Sequence, residues 1–178
     1  MSSYKIVIVG DANVGKTSYV ERLITGNFIE DYEPTLGVSV RQYKRNGVTY
    51  HLWDCAGNPK LGDEKMSECF SEADGAIVMF DAFKHHTKYL EKWTSLFPGI
   101  PICFCTNKQD WAVKAKYQGK YPCYPMSVKD GYNIEKPFEY FEEYDFYECE
   151  DCGLVMNGNE TICKTCGWNS ITSQSKTD

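Results

Sequence analysis

The stretch Gly10-Asp11-Ala12-Asn13-Val14-Gly15-Lys16-Thr17 limits what this chain can become more than any other. It fits the spacing GxxxxGK[ST] and follows the β-branched apolar run Tyr4–Val9. It opens a segment, Thr17–Thr25, whose Tyr19, Val20, Leu23 and Ile24 recur at helical spacing and stop at Gly26. Strand, glycine-bearing loop and helix in that order turn backbone N–H groups inward, and the helix aims its positive dipole end at the same point. Such a cradle suits phosphate oxygens. Lys16 adds a point charge for the outer phosphates, and the Thr17 hydroxyl can ligate Mg²⁺. The competing reading is a chance glycine turn in another βαβ fold, which the full set of fixed positions in this context opposes.

The rest of the chain reads as strands alternating with helices. Val38–Lys44 and Val48–Asp54 flank Arg45-Asn46-Gly47, where Asn-Gly predicts a hairpin turn. Ala76–Phe80, Pro101–Cys105 and Tyr121–Pro125 read as further strands, and Asp63–Ala73, Lys88–Phe97 and Asn133–Tyr144 as helices. The expectation is an α/β protein with a mostly parallel six-stranded sheet covered by helices on both faces. Three parts are expected: a nucleotide-binding domain over 1–146, a small module over 147–168, and a flexible tail over 169–178, polar except for Ile171.

A second motif selects the base. Asn107-Lys108-Gln109-Asp110 follows the strand Pro101–Cys105 and supplies NKxD. A carboxylate at Asp110 can accept from guanine's N1–H and exocyclic amine together, whereas adenine offers neither donor. A site built to satisfy such hydrogen bonds rejects the analogue lacking them by about 10⁴–10⁵-fold. NKxD alone is a weak pattern that a surface turn would also match. Its order after the phosphate loop, with Ser127-Val128-Lys129 after the next strand, makes the pair specific.

Cysteine usage divides the chain. Of nine cysteines, Cys55, Cys69, Cys103, Cys105 and Cys123 are scattered, and core thiols are expected there. The other four form two CxxCG knuckles, Cys149-Glu150-Asp151-Cys152-Gly153 and Cys163-Lys164-Thr165-Cys166-Gly167. Four thiolates can close a tetrahedral site around Zn²⁺ in a zinc ribbon; iron in a rubredoxin-like site and a pair of disulfides are the rival readings. About twenty residues cannot bury enough apolar surface to fold alone, so metal would supply the stability, on the order of 10–16 kcal/mol. No open coordination position is implied, and the role is structural. Net charge is −6, yet residues 1–137 carry 17 basic and 16 acidic side chains, and residues 138–178 carry 2 and 9. The segment holding the ribbon is therefore at −7, which speaks against nucleic acid as its partner and for protein. There is no membrane-spanning apolar run, no secretory leader and no lipidation motif at either end, so an intracellular monomer without a membrane anchor, cytoplasmic or nuclear, is expected.

In their order these motifs resemble the Ras superfamily of small GTPases, and within it the Ran family, over roughly residues 4–144. Asp54-Cys55-Ala56-Gly57 matches the DxxG step with Trp53 before it, Thr35-Leu36-Gly37-Val38 matches switch I, and Met79-Phe80-Asp81 the fourth strand. Lys114-Ala115-Lys116 and Ile134-Glu135-Lys136-Pro137-Phe138 look Ran-like. The resemblance implies the P-loop NTPase fold of small G proteins, with GTP or GDP and Mg²⁺ as ligands. It implies that Asp11 to Ser18 (Asp11, Ala12, Asn13, Val14, Gly15, Lys16, Thr17 and Ser18) hold the phosphates. Thr17, Thr35 and Asp54 would serve the Mg²⁺, and Gly57 would give its N–H to the γ-phosphate. Phe28, Tyr32, Asn107, Lys108, Asp110, Ser127, Val128 and Lys129 would surround the nucleoside and its rim, with the Val128 N–H on the guanine oxygen. Taken singly, Phe28 or Phe138 would more simply be a core aromatic.

Lys16, Thr35 and Asn58 are the implied catalytic set, and here the chain departs from the family. Asn58 stands where the family has the glutamine that orients the attacking water, and Pro59 follows it. Ala12 stands where Ran has glycine, so its methyl would crowd the transition state. Slow hydrolysis is expected. Effectors would be recruited through Glu30–Val40 and Asp54–Ser67, whereas transport receptors are disfavoured. The basic patch of Ran is thinned to Tyr117-Gln118-Gly119-Lys120, and its acidic tail is missing. The second reading is a constitutively GTP-bound, hydrolysis-deficient scaffold.

Overall fold

The computed structural model describes residues 2–30, 35–57, 68–82, 87–110, 120–144, 146–148 and 155–157. In chain order these form β1 (Ser3–Val9), α1 (Lys16–Thr25), β2 (Val38–Arg45), β3 (Val48–Cys55), β4 (Gly75–Asp81), α2 (Thr87–Thr94), β5 (Ile102–Asn107), β6 (Cys123–Pro125), α3 (Lys136–Glu143), β7 (Phe146–Glu148) and β8 (Val155–Asn157). Six strands make one sheet in the order β2-β3-β1-β4-β5-β6. Within this sheet, among the described residues, only the β2–β3 pair is antiparallel. Asn46 and Gly47 both take positive φ in the turn between them, the conformation that Asn-Gly accepts at least cost.

The sheet is covered on both faces because its central strands are apolar on both. All seven residues of β4 are buried, whereas β2 at the edge alternates between exposed and half-buried. On one face Ile6, Ile8, Leu52, Ile77 and Met79 pack against Tyr19 and Val20 of α1 and Phe138 and Phe141 of α3. On the other, Val7, Val9, Val78 and Phe104 pack against Leu90 and Trp93 of α2. Phe138 fills the gap beneath the hairpin, its ring centroid 4.9 Å from Tyr43 and 5.0 Å from Tyr50. Its place is the core.

The element bounds differ from expectation where backbone geometry intervenes. The final helix begins at Lys136, not Asn133, because Asn133 sits at φ 56 and Pro137 occupies the first turn. Of the segment 63–73, residues 68–70 are helical, and Glu72 at φ 53 ends the run before Ala73. α2 stops at Thr94, after which Leu96 and Phe97 close tight turns onto Trp93 and Thr94. β5 extends to Asn107 because the parallel ladder continues to the pair Asp81 and Asn107. Cys103, Cys105 and Cys123 are free, as expected, and Cys55 and Cys69, 14 residues apart, lie side by side in the core. A reading from spacing missed that pair, because only the fold lays the end of β3 against the segment around residue 69. β7 and β8 pair antiparallel, with Tyr147 opposite Met156. Cys149, Cys152, Cys163 and Cys166 and the tail 169–178 lie outside the described residues, as do Tyr32, Asn58 and Lys114–Lys116. Among the described residues no helix is long and apolar enough to cross a membrane.

Candidate functional site

The site forms along the C-terminal ends of β1, β3, β4 and β5, where an open parallel sheet leaves its loops free to converge. The phosphate loop leaves β1 at Gly10, whose φ is 142 and whose missing side chain lets the backbone pass Met79; a Cβ there would lie 2.0 Å from the Met79 carbonyl oxygen. Asn13 and Gly15 also take positive φ, which closes the loop onto the start of α1. α1 has a left-handed Gly15 at its N-cap and no side-chain cap, so the N–H groups of its first turn stay available to an anion.

Lys16 is held inside this loop. Its ammonium donates to the carbonyl oxygens of Gly10 at 2.9 Å and Asp11 at 2.8 Å, and the residue is only 6% exposed. Desolvation lowers its pKa to about 8, against the raising effect of Asp54 and Asp11. Beside it, three oxygens converge. The Thr17 hydroxyl lies 2.6 Å from the Thr35 hydroxyl and donates to Asp54 Oδ2 at 2.6 Å. Burial pushes the Asp54 carboxyl up, opposed by the Thr17 hydrogen bond and the Lys16 ammonium. Its other oxygen, Oδ1, is buried without a hydrogen-bond partner among the described residues. Two hydroxyls and a carboxylate with an unsatisfied oxygen suit a hard divalent cation, so these residues fit Mg²⁺. Gly57 lies directly on the phosphate loop; a Cβ there would come within 2.2 Å of the Ala12 nitrogen.

Two contiguous cavities share Asn13, Gly15 and Ser18. One, of about 320 Å³, is bounded by Ala12, Lys16, Thr17, Thr35 and Gly57. The other, of about 470 Å³, is bounded by Phe28, Asp81, Asn107, Lys108, Asp110 and Lys129. The first is sized and lined for phosphates, and the second for a base and sugar. Asn107 serves as a bracket: its Nδ2 donates to the Val14 carbonyl at 2.9 Å and its Oδ1 accepts the Val128 N–H at 3.0 Å. The Val128 N–H implied for the guanine oxygen donates here to Asn107. Val14 is a core side chain that contributes only its backbone. The Ser127 hydroxyl donates to Asp110 Oδ1 at 3.0 Å and Asp130 Oδ2 at 3.1 Å, fixing the carboxylate that would read the base edge. Asp81, Ile29 and Glu30 also bound the base cavity, and the sequence reading did not single them out as ligand contacts. For Asp81 a signal existed, since it ends a central parallel strand.

A phosphate loop on a six-stranded, mostly parallel sheet, a threonine pair beside a DxxG aspartate and an NKxD bracket define a Ras-like small GTPase, a GTP-binding P-loop protein. Residues 5–110, more than half of the chain, match the family model described as Ras of Complex, Roc, domain of DAPkinase. The chain belongs to the Roc family.

Proposed function

We propose that this domain is a GTP/GDP switch in which the residues around Thr17 sense the γ-phosphate. The observation that carries the reading is the meeting of Thr17, Thr35 and Asp54 within hydrogen-bond distance, since it joins the phosphate loop, switch I and the DxxG strand at one point. Thr17, Thr35 and Asp54 would hold Mg²⁺, which when bound neutralises charge on the phosphate oxygens. Lys16 carries the positive charge of the loop, and Gly57, packed on the phosphate loop, would give its N–H to a γ-phosphate. Loss of that phosphate releases Thr35 and Gly57 together, and effectors read the change through Glu30–Val40 and Asp54–Ser67.

Hydrolysis is slow on this reading. Asn58 is one methylene shorter than the water-orienting glutamine of the family, and Ala12 adds a methyl where Ran has glycine, which would crowd the transition state. The switch itself would be Ran-like, with Trp53 and Ile134–Phe138 as the supporting residues, whereas Ran's transport receptors are disfavoured as its partners because the basic patch is thinned to Tyr117-Gln118-Gly119-Lys120. The four cysteines would hold one Zn²⁺ in a protein-binding ribbon; the antiparallel pairing of β7 and β8 on either side of Cys149 and Cys152 suits such a knuckle. The same slow chemistry also favours a second reading, a constitutively GTP-bound scaffold.

Mass analysis of native protein separates the two. Mixed GDP and GTP with single-turnover hydrolysis slower than that of a typical small GTPase supports the switch, and GTP alone with no turnover supports the scaffold. Absence of any preference for guanine over adenine nucleotides would sink both.

A further inference from the structure

Asp81 is an acid in a cavity that must attract a polyanion, an unfavourable placement unless the carboxylate has work there. The ladder between β4 and β5 pairs Asp81 with Asn107, and the Ala82 N–H donates to the Asn107 carbonyl at 3.1 Å. Asp81 therefore sits one residue from Lys108, which adopts a left-handed backbone at φ 65. The Lys108 ammonium lies 2.8 Å from Asp81 Oδ2, with the two side chains 34% and 11% exposed. On the facing wall Lys129 pairs with Glu30 at 3.3 Å, but those side chains are 45% and 78% exposed. Solvent screens the second pair far more than the first. One lysine of the base cavity is thus pinned from within, and the other is tethered only at the rim.

We propose that Asp81 is a positioning residue for the nucleotide, holding the Lys108 ammonium at the sheet edge so that its four-carbon stem forms one wall of the base and sugar pocket. A free lysine stem samples many rotamers, and each nucleotide that binds would have to order it. Asp81 imposes that order beforehand. It also cancels its own charge against Lys108, so the site keeps its attraction for phosphates. Because Lys108 acts as a wall and not on the base edge, the effect is the same for any purine nucleotide that Asp110 admits. The inference rests on the guanine-nucleotide reading.

The test is the dissociation rate of fluorescent GDP and IDP from the magnesium-loaded full chain; IDP lacks the exocyclic amine. Asp81→Ala is expected to speed release of both by about tenfold, equally, because one wall loses its order. Asp81→Asn keeps the shape and an acceptor and is expected to fall between wild type and Asp81→Ala; it also serves if the alanine variant does not fold. Lys108→Met keeps the stem without the charge, and adding Asp81→Ala to it should bring no further change. Multiplying effects of the two substitutions, a loss confined to GDP, or wild-type release from both Asp81 variants would each overturn the assignment while leaving guanine binding intact. A wild-type chain that binds neither nucleotide overturns the function as well.

Discussion

Lys16 shows how one buried charge sets the pH behaviour of the whole site. Loop closure buries its ammonium against two carbonyl oxygens and lowers its pKa to about 8, whereas in an unfolded chain it titrates near 10.5. Between those values the unfolded chain holds a proton that the empty folded protein lacks. The stability of the empty protein therefore rises with pH across that window. Nucleotide binding works in the opposite direction, because the phosphates need the ammonium. Affinity for GDP is expected to fall about tenfold from pH 7 to pH 9, as the protonated fraction of Lys16 falls, and titration calorimetry across that range would read it. A Lys16→Met variant should bind weakly and lose this dependence. Unchanged wild-type affinity to pH 9 would show that Lys16 does not govern binding.

At the scale of the element, the hairpin β2–β3 and helix α3 depend on each other. Tyr43 donates to both carboxylate oxygens of Glu135, at 2.8 and 2.7 Å, and Arg45 pairs with Glu135 at 3.1 Å and also with Glu142. The Arg45 pairs are partly exposed and contribute little individually, about 0–1 kcal/mol each. The apolar contact beneath them decides the packing. Phe138 is fully buried between Tyr43 and Tyr50, so Phe138→Ala leaves a cavity and should cost about 3–5 kcal/mol of unfolding free energy, measurable by urea denaturation. Arg45→Ala, which breaks both pairs, should cost under about 2 kcal/mol in the same assay. The reverse order would mean that the ion pairs, not the ring, hold the helix down. Helix and strand periodicity was readable in these segments, but their ends were not. Left-handed backbone at Asn133 delays the start of α3, and at Glu72 it ends a helical run, which a glutamate's identity does not announce.

At the scale of the whole molecule, the sheet carries the nucleotide site at its C-terminal edge, and the chain leaves α3 for the hairpin β7–β8. If the ribbon is a separate metal-stabilised module, stripping zinc with a chelator should leave GDP affinity and the main melting transition unchanged while unfolding the ribbon, as followed by zinc release and circular dichroism. A matching loss of GDP binding would show that ribbon and GTPase domain are one unit. The sequence by itself determined the phosphate loop, the base-reading motif and the alternation of strands and helices. Each is a local matter of glycine conformation, fixed spacing or apolar period, and none needs a distant partner. Only the tertiary structure decided which side chains meet across the chain: Thr17 with Thr35 and Asp54, Asn107 as the bracket between Val14 and Val128, Cys55 with Cys69, and Asp81 with Lys108. These contacts join segments 14 to 93 residues apart. Their partners are chosen by strand order and register, which no local pattern of residues encodes.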